Sequence, residues 1–203
     1  MLRDVRAVGT ALREERYSSL EALFSDDELI ELRREAELRA LDARPWSSTG
    51  YSVSRKGRLD SPRRHRTGES GPRLRELHEG RPLGDFLSEA VGAAMFPTRA
   101  AYLYYRPGDH VGLHTDVDVC ELTLVVNVEG DTGPLVLHPD LRGVTGDSLR
   151  ALSEATNGFP AGGLPQPLPH GGALALLGSS VPHHRPPVTT PSTIATLCYS
   201  GIA

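Results

Sequence analysis

The stretch YYRPGDHVGLHTDVDVCELTLVVNV, residues 104–128, decides the fold of this chain. Its second part, ELTLVVNV, is an apolar, β-branched run that predicts a strand, and a Pro-Gly turn precedes it. The triplet His114-Thr115-Asp116 stands between the turn and that strand. Side chains two residues apart share a face in extended backbone, so His114 and Asp116 are placed to bind one ion.

Downstream of this stretch the chain continues in short β-rich runs separated by Gly, Pro and Asp turns. Together the runs are AAYLYY, ELTLVVNV, PLVLH, ALALLG and TIATLCYS, and they predict an antiparallel barrel over residues 100–203. Residues 139–170 interrupt the pattern and contain one helical segment, GDSLRALSEAT. A long insertion of this kind commonly covers a binding site, so we expect a lid.

Upstream of the stretch, helical patterns dominate. Residues 25–43 predict an amphipathic helix with Ser25 as its N-cap and Glu28 reaching back to it. A second helix is predicted from about Pro82 to Phe96.

Between these helices, residues 47–72 are rich in Ser, Gly, Arg and Pro and predict a long mobile loop beside the pocket. The predicted class is α+β: one domain, 1–203, in which helices within 1–99 support the barrel.

Composition narrows the function classes. With 26 acidic and 22 basic residues the formal net charge is −4, so there is no global field for nucleic acid or an anionic membrane, and we expect a small-molecule partner. Neither a signal-peptide core nor an apolar run long enough for a membrane span occurs. Cys120 and Cys198 form no CxxC pair, which argues against a disulfide framework or zinc finger and favours the reducing cytoplasm.

A third metal ligand is available in the segment GSSVPHHRPPV, where His183 and His184 precede another predicted strand. Two histidines and one carboxylate leave open coordination positions on a metal, which is the arrangement that non-haem iron(II) uses to activate oxygen. The residues alone leave the choice between His183 and His184 open.

Several short motifs follow one another in a fixed order. They are Tyr105-Arg106-Pro107-Gly108, His114-Thr115-Asp116, Leu122 to Asn127, Gly133-Pro134-Leu135, Gly171 or Gly172 before ALALLG, His183, and Pro187-Val188. In this order, residues 100–200 resemble the iron(II)/2-oxoglutarate-dependent oxygenases, and in particular their prolyl-4-hydroxylase-like branch.

The resemblance implies a double-stranded β-helix, or jelly-roll, barrel that uses Fe(II), 2-oxoglutarate and O2. It implies hydroxylation of an unactivated C–H bond, which we expect in a small molecule such as an amino acid or a biosynthetic intermediate. His114 and Asp116 carry over as ligands, and the register set by Pro187-Val188 makes His183 the third, with His184 on the opposite strand face. A carboxylate at Asp116 favours hydroxylation over halogenation, because halogenases of this superfamily generally have Gly or Ala there.

The resemblance also assigns a cosubstrate site. Tyr105 occupies the position whose phenol commonly hydrogen-bonds 2-oxoglutarate, and Asn127 ends the strand beside it. The family places a basic residue about ten positions after the distal histidine, but this chain has Thr193 there, whose hydroxyl can still donate a hydrogen bond to the cosubstrate although a neutral donor is a weaker partner for a carboxylate. Arg185, two residues after His183, is the best replacement cation, since it shares that strand face; Arg106 is the next candidate.

Three interpretations stay open at this point. The first is the 2-oxoglutarate-dependent hydroxylase, the second an iron oxygenase whose substrate itself chelates the metal, and the third a non-catalytic barrel that binds a metal or a metabolite. Other polar residues have weaker claims: His138 and His170 border the barrel and lie either in the pocket or in exposed loops. The basic cluster of residues 55–66 either meets an anionic substrate or is a solvated loop.

Overall fold

The computed structural model describes residues 4–21 and 23–201. Within them the helices are α1 (Val5–Glu14), α2 (Asp26–Ala40), α3 (Pro72–Glu79), α4 (Arg81–Val91) and α5 (Gly146–Ala155). The strands are β1 (Tyr17–Leu20), β2 (Arg44–Ser48), β3 (Ser52–Val53), β4 (Leu59–Asp60), β5 (Arg63–Glu69), β6 (Met95–Tyr105), β7 (His110–His114), β8 (Leu122–Gly130), β9 (Leu135–Leu137), β10 (Leu164–Gln166), β11 (Ala173–Leu176), β12 (His183–Arg185) and β13 (Ser192–Gly201).

One antiparallel sheet contains almost all of these strands. Its order is β1-β11-β8-β13-β6-β5-β7-β12-β9-β10, with β2 added beside β5, while β3 and β4 form a separate hairpin. Neighbours such as β13 and β6 are far apart in the chain, as a jelly roll requires. The predicted α+β jelly roll is confirmed. Across the described ranges, no helix combines the length and the apolarity that a bilayer crossing demands.

Local sequence signals fix the ends of the two predicted helices. Ser25 and Glu28 form the predicted capping box at the start of α2, with the Ser25 N–H donating to Glu28 Oε2 over 2.8 Å. Helix α4 ends earlier than predicted, because Gly92 adopts a left-handed conformation, φ 78°, that terminates the helix. Met95 and Phe96, predicted as helical, instead begin β6.

The helices pack against the outer face of the sheet, as the sequence predicts. Leu32 of α2 and Leu87 of α4 are fully buried with Leu124, Ala195 and Leu197 from β8 and β13. Burying a leucine side chain of this kind contributes about 2 kcal/mol. The inner faces of the same strands are thereby left free to line a cavity.

Residues 47–72 are not the irregular loop that the sequence predicts. They include the end of β2, the β3–β4 hairpin and all of β5, and β5 lies in the middle of the sheet between β6 and β7. The sequence of β5 is RRHRTGE, which has arginines where strands usually carry apolar residues, so its composition does not indicate a strand. Ladder partners distant in the chain stabilise such a strand.

The insertion 139–170 contains the predicted helix as α5. Its Leu149 packs with Leu59 of β4 and Leu113 of β7, so α5 supports the β3–β4 hairpin from outside. The two elements predicted to flank the pocket therefore touch each other. Their mobility and its dependence on substrate stay predictions.

The two cysteines are joined. Cys120, in a short 3₁₀ helix after the His-Thr-Asp triplet, forms a disulfide with Cys198 of β13. The sequence argument against a disulfide does not hold for this pair, because the β8–β13 ladder brings together two residues that are 78 positions apart. The argument for a reducing compartment that rested on unpaired cysteines therefore no longer holds.

Candidate metal centre

Three potential metal ligands converge at one mouth of the barrel. His114 ends β7 and His183 begins β12, and these residues are direct partners in the ladder. Asp116 follows β7 by two positions and places Oδ1 at 3.5 Å from His114 Nε2 and 3.7 Å from His183 Nε2. One ligand atom from each residue lies within 4.8 Å of the others, which suits a single ion.

Backbone carbonyls orient both imidazoles. The Nδ1 of His114 lies 3.0 Å from the Gly112 carbonyl oxygen, and the Nδ1 of His183 lies 2.9 Å from that of Val181. Since a carbonyl only accepts, each Nδ1 carries the proton and each Nε2 presents a lone pair to the ion. Burial, followed by the nearby His114, lowers the pKa of His183 to about 4, which keeps this ring neutral.

Asp116 is held as a carboxylate. Burial alone raises its pKa, but His183, His114 and a hydrogen bond from Thr123 together outweigh burial, and the net pKa lies well below the usual range. Thr123 donates from Oγ1 to Asp116 Oδ2 over 2.7 Å, which leaves Oδ1 for the metal. Gly178 fits beside this carboxylate, because a Cβ at that position would collide with it. Two imidazoles and one carboxylate are a fitting donor set for iron(II).

His184 faces away from this centre. Its Nδ1 lies 3.1 Å from Nε2 of His138, and the two rings stack at 5.1 Å in a buried pair. His184 and His138 do not line the cavity next to the metal ligands. His170 lies exposed in a turn and does not line it either.

A cavity of about 360 Å³ opens from the three ligands into the barrel. Alternate residues of the strands line it: Ala101, Leu103 and Tyr105 of β6, Thr123 and Val125 of β8, and Ile194, Thr196 and Cys198 of β13. Its volume falls in the range of small-molecule sites. Residues 47–72, which the sequence predicts as a loop, contribute Ser52, Val53, Ser54, Arg58, Leu59, Asp60, Arg63 and His65, and Trp46 just before them also lines the cavity.

Arg185 reaches the same cavity and is 2% exposed. Its NH1 donates to the Thr132 carbonyl over 2.6 Å, and its guanidinium carbon lies 5.3 Å from the centre of the Tyr105 ring. Among the described residues no carboxylate pairs with Arg185, and its NH2 has no hydrogen-bond partner. A buried cation without an anion is costly, so Arg185 is a candidate group for binding an anion.

Comparisons of sequence alone find no relatives: no protein-family model and no curated protein matches the chain. Solved structures do match. A prolyl-4-hydroxylase from Pseudomonas putida is 15% identical with a TM-score of 0.65, covering 98% of this chain and 100% of its own. The epimerase SnoN of nogalamycin biosynthesis, solved with Fe3+, alpha ketoglutarate and nogalamycin RO, is 14% identical with a TM-score of 0.73, covering 97% of this chain and 83% of its own.

A third match is HygX from Streptomyces hygroscopicus, solved with nickel, 2-oxoglutarate and hygromycin B. It is 13% identical with a TM-score of 0.63, covering 97% of this chain and 87% of its own. The chain has the fold of the iron(II)/2-oxoglutarate oxygenases. At these identities the likeness establishes the oxygenase fold and not the reaction.

Within this oxygenase fold, the predicted cosubstrate residues separate into two groups. Tyr105 and Arg185 line the cavity, whereas Asn127 and Thr193 do not. The Asn127 amide donates to the Gly130 and Leu168 carbonyls at 3.0 and 2.9 Å, and so it holds a turn together. Thr193 does not line the cavity, whereas its neighbour Ile194 does. The cosubstrate role of Asn127 and Thr193 stays a prediction.

Sequence reasoning missed several lining residues of this oxygenase fold. The prediction places Arg63 and His65 in the loop 47–72, assigns Trp46 to no element, and gives Thr123 no role beyond its strand. The signal that was available is spacing: Arg63 and His65 are two apart, as are Thr123 and Val125, so each pair shares one strand face.

Proposed function

We propose that this protein is an iron(II)/2-oxoglutarate-dependent oxygenase that hydroxylates an unactivated C–H bond of a small molecule. The observation that carries the proposal is the shared cavity. It joins a site of two histidines and one carboxylate to a buried guanidinium that has no carboxylate partner among the described residues. A dicarboxylate with a metal-chelating end matches both features at once.

The protein supplies the positions for this chemistry. His114, Asp116 and His183 would hold the metal on one side and leave the cavity side open. When bound, iron(II) supplies oxygen activation at the expense of 2-oxoglutarate, which leaves as succinate and carbon dioxide. Thr123 and the carbonyls of Gly112 and Val181 fix the ligand side chains in the required orientation.

Arg185 and Tyr105 would bind the far carboxylate of 2-oxoglutarate. The free NH2 of Arg185 donates to it, and the Tyr105 ring below the guanidinium keeps that group in place. Burial raises the pKa of the Tyr105 phenol, which therefore stays protonated and able to donate. Apolar neighbours such as Leu135 and Ile194 exclude water from the same region.

The rival interpretation, an iron oxygenase that uses no 2-oxoglutarate, was motivated by Thr193 at the expected basic position. Arg185 weakens the argument from Thr193, because Arg185 supplies a cation to the cavity from another strand, β12. Asp116 completes the ligand set, which favours hydroxylation over halogenation. We expect the substrate to be a small molecule, in keeping with the cavity volume of about 360 Å³.

The test measures succinate formed from 2-oxoglutarate by the purified protein with Fe(II) and O2, a slow reaction that needs no knowledge of the natural substrate. We expect turnover in the parent protein and loss of it in Asp116→Ala. Asp147→Ala removes an exposed carboxylate on α5 and serves as the matched control. Oxygen consumption without succinate would favour the rival oxygenase, and no oxygen consumption with any substrate would favour a non-catalytic barrel.

A further inference from the structure

The outer wall of the cavity carries an aromatic ring between two cations. Trp46 of β2 lies opposite His65 of β5 in the ladder. The Arg63 guanidinium carbon is 4.9 Å from the centre of the indole, and that of Arg99 is 6.0 Å away. Trp46, Arg63, His65 and Arg99 all line the cavity, and we call them the outer subsite.

Buried polar atoms of the outer subsite lack partners. His65 is 4% exposed, and neither of its ring nitrogens has a hydrogen bond. The Nε of Arg63 is also buried without a partner, although its NH2 contacts Asp60. Buried polar groups are nearly always satisfied, so three unpaired nitrogens in one wall indicate a polar ligand, and the N–H groups of Arg63 and His65 among them require acceptors.

The charges of the wall indicate the sign of that ligand. The cavity is lined by the four arginines Arg58, Arg63, Arg99 and Arg185, but by only two acids, Asp60 and Asp116. Asp116 and Arg185 belong to the metal and cosubstrate end. Of the other lining arginines, Arg63 pairs with Asp60. Arg58 pairs with Asp118, which lies outside the cavity and also pairs with Lys56. Arg99 has no carboxylate partner in the part of the chain that the structure describes.

We propose that the substrate of this oxygenase carries an anionic group, a carboxylate or a phosphate ester, which the outer subsite binds through Arg99, Arg63 and His65. The proposal rests on the proposed function, since it assigns the substrate end of the same cavity. The body of the substrate is apolar, because the apolar side chains of Val53, Leu103 and Val125 line the same cavity. Fixing the anion at one end would orient one C–H bond toward the metal.

His65 has a defined part in this arrangement. Burial, with Arg63 next in importance, lowers its pKa to about 4, so the ring is neutral and donates from only one nitrogen. Its ring lies 5.4 Å from that of Trp46 and 5.5 Å from that of Tyr105, so within the outer subsite His65 is the residue next to the cosubstrate end. The arginines attract the anion by charge, and a hydrogen bond from the neutral His65 ring orients it.

Trp46 provides the readout, since it is the single tryptophan of the chain. The protein is loaded anaerobically with Fe(II) and saturating 2-oxoglutarate, and its fluorescence is titrated with 3-phenylpropionate, phenyl phosphate and the uncharged 3-phenylpropanamide. We expect at least one of the two anions to bind about tenfold more tightly than the amide. Equal binding of the amide and both anions would overturn the proposal.

Variants locate the bound probe. Arg99→Gln removes an exposed side chain without disturbing the core and should weaken binding of the preferred anion about tenfold. Arg63→Gln should act in the same direction, but it touches a buried group, so Arg99→Gln is the deciding variant. Arg34→Gln, an exposed arginine on α2, is the matched control and should bind like the parent protein.

The Arg185→Gln variant, titrated without 2-oxoglutarate, separates the two proposals. Anion binding that survives in Arg185→Gln and falls in Arg99→Gln supports the outer subsite, whether or not succinate is ever formed. Binding that depends on Arg185 and not on Arg99 means that the probe occupies the cosubstrate end, and the outer-subsite proposal is then wrong. Failure of the proposed function shows independently, as absence of succinate.

Discussion

Thr123 holds Asp116 by one oxygen and leaves the other oxygen of that carboxylate facing His114 and His183. The hydrogen bond from Thr123 Oγ1 to Asp116 Oδ2 is 2.7 Å long, and Thr123 lies in β8, the next strand after Asp116 in the chain. It fixes the carboxylate in a monodentate orientation before any ion arrives. This preorganisation has a measurable consequence.

Replacing Thr123 by Val keeps the shape of the side chain and removes the donor. We expect the affinity for Fe(II), or for Co(II) as a stable substitute, to fall about tenfold or more, as is usual when such supporting partners are lost. Thr123→Ser keeps the hydroxyl and is the control. Equal metal affinity in the Val and Ser variants, measured by calorimetric titration, would show that this hydrogen bond does not tune the site.

Neighbouring histidines should differ sharply in their effect on metal binding. His183→Ala removes a nitrogen that lies 3.7 Å from Asp116 Oδ1 and should abolish tight metal binding. His184→Ala removes the pair with His138 and the ring contact with Phe159 and should leave the metal stoichiometry unchanged. Metal analysis after dialysis distinguishes the two, and the opposite result would move the centre to His184.

Replacing Arg185 by Gln tests the cosubstrate site. The variant should raise the apparent KM for 2-oxoglutarate by about tenfold or more, on the order of 1.4 kcal/mol, while metal affinity stays nearly the same. Arg106→Gln is the matched control, because Arg106 was the next candidate cation and lies exposed in the turn before β7. If Arg106→Gln raised the KM and Arg185→Gln did not, Arg106 and not Arg185 would be the cation that binds the carboxylate of 2-oxoglutarate.

The disulfide should hold the segment between β7 and β8, which contains Asp116 and Cys120, against the barrel. It closes a segment of 78 positions, for which loss of chain entropy in the unfolded state predicts up to about 4 kcal/mol. The Cys120→Ser/Cys198→Ser double variant should therefore unfold at a lower urea concentration. A reductant should destabilise the parent protein but not the variant, and two titratable thiols in the untreated, denatured parent protein would contradict the pairing.

Acid should destabilise the metal-free protein through its buried histidines. Burial lowers the pKa of His65 to about 4, against an ordinary value near 6.5 in the unfolded chain. The unfolded state therefore binds a proton that the folded state does not. The contribution of this neutral ring to stability is full above pH 6.5 and is lost progressively as the pH falls toward about 4, by up to about 3 kcal/mol.

Urea unfolding at several pH values measures this effect, and His65→Phe provides the comparison. The variant keeps an aromatic ring between Trp46 and Tyr105 but has no proton to bind. Its unfolding free energy should fall less steeply between pH 6.5 and about 4 than that of the parent protein. Parallel curves for the two proteins would show that His65 is not buried in its neutral form.

The sequence alone was sufficient for the features that local chemistry decides. Helix α2 begins where Ser25 and Glu28 satisfy its free N–H groups, and β8 and β13 follow from apolar β-branched runs. The spacing of His114 and Asp116 places them on one side of an extended segment, so their meeting required no knowledge of the rest of the chain.

Tertiary structure decided what depends on partners distant in the sequence. Alternation puts His183 and His184 on opposite faces, but only the pairing of β12 with β7 shows that His183 lies beside His114. The segment RRHRTGE has no apolar pattern, and it is a central strand because β6 and β7 supply its hydrogen bonds. Register, strand order and burial are properties of contacts across the barrel, and no local pattern contains them.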